Sequence, residues 1–335
     1  MSGKPWKQWR RDARRHPFSA LVSLITHLAA LCTVLILGFL VAYILINGIP
    51  NLRPELFALT YTSDNQSMLP AILNTCTMTL LSLLLAVPVG VGASVYMTEY
   101  ARRGSRLVGL VRVTTETLSG IPSIVYGLFG MLLFGSTLHL GYSMLSGALT
   151  LAIMILPLIM RTTEEALQSV PDSYREGSFG LGAGRLRTTV RVVLPAAVPG
   201  ILSGVILAVG RIVGETAALM YTSGTVEKIA GLMDSGITLS VHMYRQASEG
   251  LYTEQAYATA VVLLALVLLI NLLAGRLAAS VTKGRHDEYV YREGYEPVVR
   301  GFPRAEGREP RDSQGTDYRA HRPVRLRQID VPAQP

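Results

Sequence analysis

The sequence predicts an all-α fold, a polytopic membrane bundle of six transmembrane helices. Three observations predict it. Half of the 335 residues are hydrophobic and the mean hydropathy is +0.36, too apolar for a soluble domain of this length. Six stretches approach the roughly 20 apolar residues that cross a bilayer. Lys and Arg crowd into alternate connections between those stretches, the pattern that orients membrane helices.

The six stretches lie at about 21–46, 71–97, 107–134, 143–160, 199–222 and 257–279. The first follows a basic segment, residues 1–20, with Lys4, Lys7, Arg10, Arg11, Arg14 and Arg15. Its apolar run is longer than a signal-peptide core and no small-residue cleavage site follows, so a span is expected rather than a leader. The third and fifth stretches are interrupted by Gly, Pro and charges, which is tolerated where a helix is buried in protein or lines a cavity. Positive charge follows span two (Arg102, Arg103, Arg106), span four (Arg161, Arg175, Arg185, Arg187, Arg191) and span six (Arg276, Lys283, Arg285). The other connections are poor in it: 47–70 has only Arg53, 135–142 has none, and 223–256 has Lys228 and Arg245. Both termini are therefore expected in the cytoplasm. Residues 284–335, rich in Arg, Pro, Gly and acids, cannot bury enough apolar surface to offset ordering and read as a disordered, solvated cytoplasmic tail, with contact of its arginines to anionic lipid as the less favoured alternative. The expected organisation is 1–20 basic segment, 21–283 membrane domain, 284–335 tail.

Several function classes drop out. The net charge of +8 is spread between spans rather than gathered in a patch, so orientation in a membrane explains it and nucleic-acid binding does not. Cys32 and Cys76 lie inside apolar runs and imply no disulfide. His27 and His139 lack partners at metal-ligand spacing. No nucleotide-binding Gly-rich loop, nucleophile elbow or zinc-protease motif occurs, so neither an enzyme nor a cofactor is expected in this chain.

The connection after span four, about 161–198, has its own local logic. Pro171 ends a helix; Ser173 and Glu176 are spaced as a capping box; glycines between Gly180 and Gly184 supply a left-handed turn. A second helix from about Arg185 would put Leu186, Val190, Val193 and Leu194 on one face and Arg187, Thr188 and Arg191 on the other, lying near the membrane surface until Pro195 and Pro199 break it. A short helix on two arms suits a groove of another protein, although a structured linker without a partner fits the same pattern.

This connection resembles the coupling loop of ABC-transporter permeases, whose pattern is Glu-Ala-Ala, three residues, Gly, nine residues, Ile-x-Leu-Pro. The chain has Glu176-Gly177-Ser178, Gly182, and Val192-x-Leu194-Pro195 at the same spacing, departing at Gly177, Ser178 and Val192. The resemblance extends over most of 70–280. The segments Ala86–Ala101, Leu118–Gly130, Leu156–Leu167 and Gly210–Thr222 are similar to the PstA family of phosphate-importer permeases, and Gly214-Glu215-Thr216-Ala217 favours PstA over the partner family PstC. The segment before span two and the long tail depart from that family. The resemblance implies a type I ABC importer permease fold in the inner membrane, a PstC-like homologous permease beside it, a PstB-like ATPase dimer that binds the ATP and Mg and docks on the loop, and a PstS-like extracytoplasmic phosphate-binding protein. Loops 47–70 and 223–256 are the candidate surface for that protein.

Span five carries the candidate pathway residues Arg211, Glu215 and Thr216. Arg211 and Glu215 stand i, i+4 in an apolar segment, where charges are costly and face the bundle interior or a water-filled path. Arg matches an oxyanion with a permanent charge and a fork of donors; Glu215 would hold it and moderate its grip. An internal ion pair that only fixes packing fits the same spacing. Gly200, Gly204 and Ala208 form a small-residue stripe, as do Gly210 and Gly214, which places span five at the bundle centre. In span three Pro122 predicts a kink whose freed backbone Ser123 or water satisfies, flanking the pathway or serving packing alone. Arg112 and Glu116 are spaced as an interfacial pair. A carrier without an ATPase is disfavoured, since no internal repeat supplies a second half to rock against.

Overall fold

The computed structural model describes residues 17–102 and 104–292. The basic residues expected to orient the N-terminus, together with Arg103 and residues 293–335 of the expected tail, lie outside them. The chain divides into Met1–His286, which holds the bundle, and Asp287–Pro335, of which only the end of a helix is described.

Five helical segments are long and apolar enough to cross a membrane: Leu21–Asn51, Leu69–Tyr100, Met144–Gln168, Arg185–Val213 and Thr253–Arg276. The sixth crossing is made by two helices, Arg106–Ser119 and Ser123–Thr137, bent by 105°. Their outer ends settle whether the pair crosses or doubles back. It starts beside the turn holding Glu99, which reaches Arg175, and finishes beside Ser143, whose amide donates to the Thr222 carbonyl at 3.1 Å. Those ends belong to opposite poles of the bundle, so the pair is a broken span.

In chain order the helices are α1 (Pro17–Gly48), α2 (Leu69–Val95), α3 (Arg106–Ser119), α4 (Ser123–Gly130), α5 (Met144–Gln168), α6 (Asp172–Gly180), α7 (Arg185–Thr188), α8 (Leu194–Val213), α9 (Ala217–Thr222), α10 (Leu239–Glu249) and α11 (Thr253–Arg292). Wide i→i+5 turns continue α2 over Tyr96–Tyr100, α4 over Met131–Thr137 and α7 over Thr189–Val193.

Three expected boundaries are corrected. Span four runs two turns past residue 160. Arg161 pairs with Glu165 at 3.0 Å, Gln168 donates to Glu164 at 3.0 Å, and Thr163, Ala166 and Leu167 are buried, so the charged stretch is a continuing helix with one packed face. Pro195 and Pro199 do not break span five. The wide turn before Pro195, closed by the Leu194 amide on the Thr189 carbonyl, resets the hydrogen-bond register, so Pro195 falls in a first turn where a missing N–H is tolerated. The surface helix expected at 185–194 is thus the beginning of span five. Finally, α11 continues to Arg292, past the expected boundary at residue 284.

Span four, not span five, is the most buried crossing and forms the centre. On one side α2 approaches until a Cβ on Gly90 would stand 2.8 Å from Ile159, and Ser94 donates to the Met160 carbonyl at 2.8 Å. On the other, the small-residue stripe of α8 works as expected: Gly200 lies against Ala166, Gly204 against Thr162, and Ala208 is fully buried. Gly210 and Gly214 meet no neighbouring helix. Leu151, Ile155 and Ile159 of α5 join Met78, Ile212 and Leu219 in one core. α1 touches the bundle at its end, where Gly48 abuts the Tyr257 carbonyl and Tyr43 meets Tyr257 edge-on at 5.9 Å. Cys32 and Cys76 are exposed and free.

Candidate functional site

Two spans break at one level of the bundle. α3 ends at Ser119, where the Gly120 and Ile121 amides bond back to Thr117 and Leu118 at 3.2 and 3.1 Å, and α4 sets off from Pro122. The expected kink is present, but Ser123 does not satisfy it. The Tyr126 hydroxyl reaches back to the Leu118 carbonyl at 2.8 Å, and Ser119 donates to the Glu116 carbonyl at 2.8 Å. In span five, α8 ends at Val213 and α9 starts at Ala217. The outer halves of the two broken spans pack together, Gly127 lying so close to Ala218 that a Cβ would come within 2.8 Å of its Cα. Irregular backbone inside a bundle persists where its groups find partners or line a cavity.

A cavity of about 300 Å³ lies beside both breaks. Arg112, Arg161 and Arg211 line it against Glu116 and Glu164, with Met97, Met154 and Met160 among its apolar walls. Arg112 pairs with Glu164 rather than with Glu116, because α5 presents a carboxylate to it across the helix contact. Arg161 is held by Glu165. Arg211 makes no ion pair among the described residues. It sits in the last turn of α8, where the helix dipole favours a cation.

The expected Arg211–Glu215 pair is not formed. Gly214 ends the helix, the i, i+4 register is lost, and the Glu215 amide bonds back to Ile212 at 3.1 Å. Buried Glu215 turns the other way: its Oε1 accepts the Ala218 amide at 3.0 Å, capping α9, and its carbonyl accepts the Ser240 hydroxyl at 2.6 Å. Thr216 is the N-cap residue of α9. Of the five candidate pathway residues, Arg211 alone is among those lining the cavity; Glu215, Thr216, Pro122 and Ser123 build the breaks beside it.

At one pole the loop 169–193 folds as a helix, a turn and a helix. The capping box is not made: α6 starts at Asp172 behind Pro171, and Ser173 falls inside its first turn. The glycine turn is made. Gly182 has φ +81°, its amide bonds to the Phe179 carbonyl at 2.9 Å, and the Ala183 amide bonds to Ser178 at 3.1 Å, the paired bonds of a Schellman end. Ser178 meets the Thr188 hydroxyl at 2.8 Å. The buried face of the second helix is Thr188, Thr189 and Val193, not the expected set with Leu186 and Val190. Those two stay exposed with Tyr174, Phe179 and Leu181, the last 92% exposed. Glu176, Gly177 and Gly182 are exposed, whereas Val192, Leu194 and Pro195 are half-buried, with Leu194 packed against the cluster that includes Ala166, Leu167 and Ile201.

Arg175 ties the loop to the bundle. Its guanidinium donates to Glu99 at 2.7 Å, to Asp172 at 3.2 Å, and to the Leu167 and Val170 carbonyls at 3.0 and 2.8 Å. The Glu99 carboxylate raises its pKa above the ordinary arginine value. At the opposite pole, Glu227 accepts from buried His242 at 3.0 Å and pairs with Arg245, which lies over the Tyr61 ring, joining loops 47–70 and 223–256.

The profile of the family described as binding-protein-dependent transport system inner membrane component matches residues 86–283. The chain belongs to that family. This inner-membrane component is 34% identical over 283 residues to the probable ABC transporter permease protein YqgI of Bacillus subtilis, covering 78% of this chain and 96% of that one. It is 33% identical over 266 residues to the phosphate transport system permease protein PstA of Xylella fastidiosa, covering 77% and 92%. Among solved structures it resembles a bacterial ABC transporter involved in import of the acidic polysaccharide alginate, at 17% identity and a TM-score of 0.59 over 82% of this chain and 99% of that one. The family member is thus a multi-pass inner-membrane transport subunit, not an enzyme, with the type I ABC importer permease fold.

Sequence reasoning missed three groups of residues. Glu99 had a signal, a lone carboxylate in the arginine-rich connection after span two. Glu227, His242 and Arg245 had a weaker one, as opposite charges within a connection poor in Lys and Arg. Tyr126 had none, because its role depends on the 105° bend.

Proposed function

We propose that this chain is the permease subunit of an ATP-driven importer of inorganic phosphate. It forms the pathway with a homologous permease, receives phosphate from an extracytoplasmic binding protein, and is driven by a separate ATPase dimer that holds the ATP and Mg. The observation that carries the substrate class is the cavity beside two broken spans, with three arginines in its lining and one of them, Arg211, free of any ion pair among the described residues. A fork of charged donors there fits a tetrahedral oxyanion. Within that class, likeness to relatives named phosphate transport permeases supports phosphate. The exposed Tyr174, Phe179, Leu181, Leu186 and Val190, beside Glu176 and Gly182, suit docking in a groove of the ATPase. Arg102, Arg106, Arg175, Arg185, Arg187 and Arg191 share that pole, which supports a cytoplasmic orientation for it.

The test is uptake of labelled phosphate in a strain lacking its own high-affinity importer, with this chain supplied beside its partners. Uptake that sulfate and molybdate do not compete away is expected. Competition by sulfate at equal concentration overturns the substrate assignment.

A further inference from the structure

We infer that Arg175 and Glu99 are positioning residues, the mechanical link through which the loop helix moves the wall of the cavity. The inference rests on the reading of that loop as the ATPase-docking element. α6 has no buried residue, so apolar packing does not hold it. Its first turn is held by Arg175, whose Nη2 donates to Glu99 Oε1 at 2.7 Å while Nε lies 3.3 and 3.4 Å from the two carboxylate oxygens. The same guanidinium ties down the Leu167 and Val170 carbonyls at the end of span four. The two side chains are only 16% and 10% exposed, so water competes weakly and the pair is stiff.

Glu99 stands in the wide turn Tyr96–Tyr100, closed by the Ala101 amide on the Tyr96 carbonyl at 2.9 Å. Met97, two residues earlier in that turn, lines the cavity together with Arg211. A continuous path therefore runs from the exposed Phe179 and Leu181, through Arg175 and Glu99, to Met97. The other joints of the loop helix include soft elements: the Ser169–Pro171 connection before it, the left-handed Gly182 after it, and the hydroxyl pair of Ser178 with Thr188. With the clamp intact, a push on α6 moves the turn and the cavity wall. Without it, those joints absorb the push.

The test uses the complete complex in proteoliposomes, with phosphate-loaded binding protein, reading phosphate taken up per ATP hydrolysed. Arg175→Ala and Glu99→Gln are expected to keep the ATPase subunits and their hydrolysis while uptake per ATP falls about tenfold, the scale of an ordinary coupling free energy. In a background with Cys32 and Cys76 replaced by Ser, the double variant Glu99→Cys/Arg175→Cys should be uncoupled in the same way. A short bis-thiosulfonate cross-linker joining the two thiols should restore uptake per ATP, and a reductant should remove it again. Unchanged uptake per ATP in the single variants overturns the inference. So does loss of the ATPase subunits, which marks a purely structural pair, or a cross-linked complex no better coupled than the reduced one. A wild-type complex that hydrolyses ATP without taking up phosphate sinks the functional reading itself, and the inference with it.

Discussion

Arg175 and Arg211 are the same side chain put to opposite uses. Arg175, in the loop, has its donors committed to two carboxylates and two carbonyls. Arg211 faces a cavity at the end of a broken helix and makes no ion pair among the described residues. Arg175 is mostly buried, so its desolvation has to be offset, whereas Arg211 is exposed. The protein offsets the cost of the first internally, which makes it a fixed strut. Under the proposed function the second stays available to an anion entering the cavity, as a transport site requires: binding strong enough to admit a ligand and not so complete that it cannot leave.

The largest expected effect tests the unpaired member. Arg211→Ala should reduce phosphate uptake to background while the complex still assembles, since Gly204 on Thr162 and buried Ala208 keep α8 packed without it. Arg211→Lys should also fail substantially, because an ammonium keeps the charge and loses the fork. Assembly would be read by co-purification of the ATPase subunits and uptake by labelled phosphate. Normal uptake in Arg211→Ala would remove the distinction between the two arginines.

A second, smaller effect tests the committed member. Glu99→Gln strands a mostly buried guanidinium, and removal of one partner of such a pair costs about 3 kcal/mol locally. Amide hydrogen exchange should show that loss confined to the segment around Leu167–Tyr174 and the turn Tyr96–Tyr100, with α2 and α5 keeping their protection where Ser94 meets Met160. Loss spread evenly over the bundle would mean that the pair supports the fold at large rather than the loop.

Legibility in the sequence divides along the same line. Local rules read well: Gly182 takes the left-handed turn, the Gly200–Gly204–Ala208 stripe packs, and Pro122 marks a break. Charge in an apolar segment singled out Arg211, which lines the cavity. What failed assumed that spacing along the chain survives folding. Arg211 and Glu215 are four apart, but Gly214 ends the helix between them; Arg112 and Glu116 are four apart, but Glu164 on another span takes the arginine. Pro195 looked like a breaker, and a wide turn just before it absorbs the fault. Ser173 and Glu176 had the spacing of a capping box, and the helix starts two residues earlier, with Pro171 at its N-cap. Each partner that won comes from a different part of the chain or from a backbone irregularity, and neither is written in a local pattern.

The smallest effect concerns a third kind of charge, paired but open to water. Lys228 and Asp234 lie 3.1 Å apart and are about half exposed. The lysine, then the Gly231 amide, hold the Asp234 carboxyl below its ordinary value. A depressed folded-state pKa adds stability above the unfolded value and loses it as pH falls through the folded one, so any contribution is constant near neutrality, begins to fall near about pH 4 and is gone only below the folded value. Solvent screening makes that contribution small. Lys228→Ala should therefore leave the thermal midpoint of the complex unchanged within error at pH 7, and the difference between wild type and variant should stay flat down to about pH 5. A clear drop in the midpoint at pH 7 would show that this half-exposed pair supports the fold as a buried one does, and that burial is not what separates a strut from a surface pair.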